Sequence, residues 1–88
     1  MKEVKITDKF EVLYKERISK NIKLKKEFLD ALESFLYDRY SVDDHLLEGK
    51  MSGFRSFSVS RDCRVVYTET EKFFLLHSIG THKQLYRR

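Results

Sequence analysis

The chain has no proline and no tryptophan, only three glycines in 88 residues, and a single cysteine. So little proline and glycine leaves no stretch of linker composition, and the sequence holds no internal repeat or low-complexity run. Cys63, alone, excludes an internal disulfide and has no cysteine partner for a metal site. It reads as a small apolar residue in a strand. No run approaches the ~20 apolar residues that span a membrane. Met1-Lys2-Glu3 opens on a charged segment rather than the apolar core of a signal peptide. The expectation is a cytoplasmic protein that does not use a membrane.

What is present suits one domain over residues 1–88. The 41% hydrophobic content suffices for one core. A chain of this size buries only ~60–65% of its unfolded surface, so that core must be small. The formal charge of +4 is unevenly placed. Residues 1–44 carry ten Lys/Arg and ten Asp/Glu, whereas residues 45–88 carry eight and four, so the whole excess lies in the second half. A basic half favours a polyanion such as nucleic acid, or an acidic protein.

Residues 3–7, Glu-Val-Lys-Ile-Thr, alternate at period two and predict a first strand. Asp8, with Glu11 three residues on, reads as an N-cap with a capping box, and Phe10, Leu13, Tyr14 and Ile18 give helical spacing. Phe28, Leu29, Leu32, Phe35 and Leu36 form one stripe of a second helix from about Asn21 to Asp38. A polar connection from Tyr40 to Gly49 follows, and then strand patterns at 54–60, 64–68 and 73–79 separated by short turns. The predicted fold is α+β, with two N-terminal helices on one face of a four-stranded, mainly antiparallel sheet in the order β-α-α-β-β-β.

Residues suited to chemistry cluster in the basic half. They are His45 in a loop, Arg55 on a strand, the turn Arg61-Asp62, Arg64 on the next strand, and Gly80-Thr81-His82 with Lys83 and Tyr86 beyond. Histidine is the natural acid or base near neutral pH. Arginine presents a planar fork to phosphate oxygens, and aromatic rings stack on splayed bases. Such a set suits metal-independent RNA cleavage, with no metal and no small-molecule cofactor. One group removes the 2′-hydroxyl proton, cations stabilise the phosphate, and another group protonates the 5′-oxygen. Structural roles compete: His77 sits mid-strand between Leu76 and Ser78, Phe57 and Tyr67 read as core, and Asp62 serves a turn.

The order of these residues carries a resemblance. Asp44-His45-Leu46-Leu47-Glu48-Gly49, Gly53-Phe54-Arg55, Arg61-Asp62 before Arg64-Val65-Val66-Tyr67, and Gly80-Thr81-His82-Lys83-Gln84-Leu85-Tyr86 resemble the RelE superfamily of type II toxins. The YafQ-like branch is the nearest in pattern. The resemblance spans roughly residues 44–87. It implies a RelE-like fold and an mRNA endonuclease that cuts in the A site of the ribosome and is neutralised by a cognate acidic antitoxin. Carried over by position, His82 is the C-terminal catalytic histidine, His45 a base or orienting group, Asp62 an acidic site residue, and Tyr86 a substrate-contacting aromatic. Arg55 occupies a basic strand position toward the scissile phosphate. Arg61, Arg64 and Lys83 rest on their charge alone as substrate-binding groups. Ser56 and Ser58 stand where the branch often has Asp and His. Loss of a true acid–base group costs ~3–5 kcal/mol in the transition state. Alternatives are a ParE-like inhibitor of DNA gyrase and a weakened member acting through antitoxin binding and co-repression.

Overall fold

The computed structural model describes residues 2–86. β1, Glu3–Ile6, leads into α1, Asp8–Arg17. Thr7 stays extended, and its hydroxyl accepts the Phe10 amide at 3.0 Å. The N-cap is thus Thr7, not Asp8. Asp8 instead begins the helix, where a negative charge favours the positive end of the dipole. α2, Ile22–Tyr37, is capped by the Asn21 side chain, which accepts from the Leu24 amide at 3.0 Å.

Two short 3₁₀ turns, Arg39–Val42 and Gly49–Met51, flank β2, His45–Leu46. Then come β3 (Arg55–Ser58), β4 (Cys63–Glu69), β5 (Phe73–Thr81) and a short α3 (His82–Tyr86). Among the described residues the sheet has five strands, not four, in the order β1-β5-β4-β3-β2. β1 runs parallel to β5, and the other pairs are antiparallel. The additional strand, β2, pairs His45 with Ser56 and Leu46 with Arg55 inside what reads in the sequence as a polar connection. Two residues are too few for an alternating pattern to register.

Alternation sorts the strands into two faces. Phe57, Val65, Tyr67, Phe74, Leu76 and Ile79 belong to the core cluster shared with α1 and α2. Phe35 of α2 is its centre: the ring stacks on Phe57 at 4.4 Å and meets Phe74 and Tyr67 edge-on at 4.9 and 5.0 Å. Truncating such a buried ring costs ~3–5 kcal/mol. The opposite face carries Ser56, Ser58, Arg64, Val66 and Ser78. α3 packs against β4 and β5 there. β5 holds one extra residue, His77, between Leu76 opposite Tyr67 and Ser78 opposite Val66.

Candidate functional site

α3 is placed by a reciprocal cap. The Thr81 amide donates to Gln84 Oε1 at 2.8 Å, and the Gln84 amide donates to Thr81 Oγ1 at 3.3 Å. The preceding Gly80 is a close approach. A Cβ there would lie 2.6 Å from Arg17 Nη1 and 2.6 Å from Gln84 Oε1. Arg17 also donates to the Ile79 carbonyl at 2.8 Å, so α1 holds the end of β5. One helical turn then sets His82 and Tyr86 on one side, with ring centroids 4.7 Å apart.

His82 and Tyr86 face His45 and Arg64 across an open cleft of about 390 Å³ whose wall includes Leu47, Glu48 and Met51. A second depression adjoins it, lined by Arg61, Asp62, Thr81 and Lys83, with Arg64 and His82 shared between the two. Seven of the eight site residues suggested by the sequence thus border this surface. Arg55 does not.

Arg55 has the same parity as Phe57 and so lies on the helix-facing side, at the sheet margin. Its Nη2 donates to Asp44 Oδ2 at 2.9 Å, and its Nε donates to Asp44 and to the Tyr67 hydroxyl, each at 3.2 Å. The Tyr67 hydroxyl donates to Asp44 Oδ1 at 2.5 Å. The Asp44 side chain is fully buried and also lies 3.8 Å from Arg39. Hydrogen bonding to Asp44 raises the Arg55 pKa, and burial raises that of Tyr67. The expected contact of Arg55 with a scissile phosphate is replaced by a buried ion pair. That pair anchors β2: with Asp44 turned inward, the next residue, His45, is turned to the open face.

Arg64, in contrast, lies on the open face and lines the cleft. Its Nε donates to Ser56 Oγ at 2.5 Å, its Nη1 to Asp43 Oδ2 at 3.2 Å, and its Nη2 to the carbonyls of Asp43 and Ser56 at 2.8 and 3.1 Å. Those four bonds leave one of the five guanidinium protons, on Nη1, for an anion in the cleft. Ser56 is fully buried and serves as the acceptor that orients Arg64. Ser58 donates to the Ser60 carbonyl at 3.0 Å. His77, as expected, is structural: its Nε2 is 2.8 Å from the Thr68 hydroxyl, and its ring meets Phe54 edge-on. Burial lowers its pKa, with a smaller contribution from Lys9. Asp43, Asp44 and Ser56 escaped the sequence reading as site-building residues. Parity with Phe57 was the available signal that Arg55 points inward.

Several solved structures with this architecture are of bacterial toxins. A copper-bound mutant toxin from Helicobacter pylori has 20% identity and a TM-score of 0.78, covering 98% of this chain and 100% of that one. YafQ from Escherichia coli strain BL21(DE3) has 19% identity and a TM-score of 0.73, with coverage of 98% and 99%. The E. coli DinJ-YafQ complex matches at 22% identity and a TM-score of 0.69, with coverage of 98% and 99%. No curated protein matches the chain by sequence. The shared fold is therefore the small α+β fold of these toxins. Within that class, the chain belongs to the YafQ family, described as bacterial toxins of type II toxin-antitoxin systems, whose model matches residues 2–87.

Proposed function

We propose that this toxin is a ribosome-dependent mRNA endonuclease that works in the cytoplasm, cuts in the A site by acid–base chemistry of its own side chains, and is restrained by a cognate acidic antitoxin. The observation that carries the reading is the convergence of two imidazoles, one fixed guanidinium and one phenol ring on a single open cleft.

In the proposed reaction one imidazole takes the proton of the 2′-hydroxyl. The 2′-oxygen attacks the adjacent phosphorus, and the 5′-oxygen leaves with a proton from the other imidazole. The products are a 2′,3′-cyclic phosphate and a 5′-hydroxyl end. Arg64 meets the phosphate with a charge already held in place, which avoids reorganisation as negative charge develops. Tyr86 stacks on a base. Arg61 and Lys83, both exposed, extend the cationic track along the backbone, with Asp62 beside them. Arg55 has no contact with substrate in this scheme; it supports β2.

Two related structures are of the E. coli DinJ-YafQ complex, which supports an antitoxin partner for this chain too. An acidic segment that folds as it binds would complement the basic half. The direct test adds purified toxin to translating ribosomes and maps cleaved mRNA ends. Cleavage in A-site codons is expected, with His82→Ala reducing the rate by ~10²–10⁴, the usual contribution of such a group. Intact mRNA with inhibited gyrase supercoiling would refute the proposal in favour of a ParE-like mode.

A further inference from the structure

The arrangement around His45 goes further than two equivalent histidines. His45 Nδ1 lies 3.1 Å from the Asp43 carbonyl oxygen and 3.3 Å from Arg64 Nη2. The two neighbours make opposite demands on Nδ1. A carbonyl can only accept, so Nδ1 bonded to it must carry the proton; an arginine can only donate, so Nδ1 bonded to it must be bare.

The protons of Arg64 decide between them. Nη2 has two, and two carbonyl oxygens lie at better distance than the imidazole, Asp43 O at 2.8 Å and Ser56 O at 3.1 Å. Both protons are thereby used. Nδ1 is left to donate to Asp43 O. The Asp43 carboxylate acts in the same sense, since its Oδ1 is 4.0 Å from Nδ1 and attracts a protonated ring edge. Nε2 makes no hydrogen bond among the described residues.

We infer that Asp43 is a positioning residue whose main-chain carbonyl holds His45 in the Nδ1–H tautomer, which leaves Nε2 as the bare, proton-accepting nitrogen of the ring. This assignment rests on the endonuclease reading for its chemistry, but not for its geometry. The backbone supports it. Asp43 is the one non-glycine residue with positive φ among the described residues, at 53° with ψ 47°, and it terminates the 3₁₀ turn Arg39–Val42. Asp tolerates that left-handed conformation better than most side chains do. The turn aims one carbonyl at both His45 Nδ1 and Arg64 Nη2, so base and phosphate-binding cation share a single anchor.

The experiment is long-range proton–nitrogen correlation spectroscopy of the His45 ring in the full chain, at a pH where the ring is neutral. The wild type is expected to show the Nδ1–H form in roughly tenfold excess, the ratio one hydrogen bond can hold. Asp43→Gly, which keeps the carbonyl and adopts positive φ freely, should retain that excess. Asp43→Val, strained at positive φ, should lose it. A wild-type ring with Nε2–H equal or in excess overturns the assignment, as does an unchanged ratio in folded Asp43→Val. The spectrum needs no activity. Nδ1–H in excess without mRNA cleavage would reject the endonuclease reading and leave the geometry standing, whereas cleavage with Nε2–H in excess would do the reverse.

Discussion

Replacing Arg55 with alanine separates two roles that its place in the sequence confuses. If Arg55 met the phosphate, Arg55→Ala would remove activity and leave the fold intact. The structure requires the opposite order of effects. Arg55 shares Asp44 with the Tyr67 hydroxyl and Arg39, and the Asp44 side chain has no solvent exposure. Removing one member of a buried ion pair costs ~3–5 kcal/mol, because the other charge stays buried without compensation. Asp44 would retain Tyr67 and Arg39, and the Arg55 side chain is 23% exposed, which places the loss near ~2–3 kcal/mol. In a domain of this size each kcal/mol moves Tm by ~4–8 °C, so a fall of about 10–20 °C is expected. Thermal and urea melts of Arg55→Ala, Asp44→Ala and the double mutant provide the assay. The double mutant should be no less stable than Asp44→Ala alone, a coupling of ~2 kcal/mol or more. Activity, measured well below the melting range, should fall in both single mutants through displacement of His45. An Arg55→Ala protein with wild-type Tm and no activity would refute the structural role.

Gly80→Ala should reduce activity more than stability, because the methyl displaces Arg17 and Gln84 and so releases the cap that sets His82 and Tyr86; melts and cleavage rates together test this. Stability should fall on acidification from pH 7 to 5. The His77 pKa is lowered, so the unfolded state takes up its proton first, near ~6.5, and the folded state is penalised below that. His77→Gln should flatten this part of a stability–pH curve. At lower pH, Glu69 adds to the loss: despite its burial, Lys2 and Arg39 hold its pKa down, and their stabilisation disappears as the carboxylate protonates. Cys63 is buried with its thiol pushed up to about 11, chiefly by desolvation, so alkylation at pH 8 should wait for unfolding.

The elements with sustained periodicity were legible in the sequence: both long helices, with Asn21 as a start, and β3, β4 and β5 as antiparallel neighbours. β2 was not, since its two residues are held by Asp44 and by pairing to β3 rather than by a pattern of their own. The helix His82–Tyr86 was also hidden, because five residues give no apolar stripe and its signal is the Thr81/Gln84 cap. The parallel pairing of β1 with β5 joins segments about seventy residues apart, a matter of topology that local pattern does not encode. Among the site residues, His45, His82 and Tyr86 could be found by type and order. Choosing between Arg55 and Arg64 required the side of the sheet, and Phe57, two residues beyond Arg55, already identified its inward side.

The position of β5 has a consequence for synthesis of the chain. β5 lies between β1 and β4, so the strand made last is flanked by the strand made first. Residues 3–6 have no sheet partner until residues 73–76 have emerged, and of the two histidines of the cleft, His45 lies within that interval and His82 beyond it. Local helices can form early during elongation, but long-range strand closure must wait for both of its ends. A nascent chain stopped before Phe73 therefore has neither a completed sheet nor His82. The cleft closes only after nearly all of the described chain has left the ribosome, which makes its assembly a late, all-or-none event of translation rather than a property that accumulates with length.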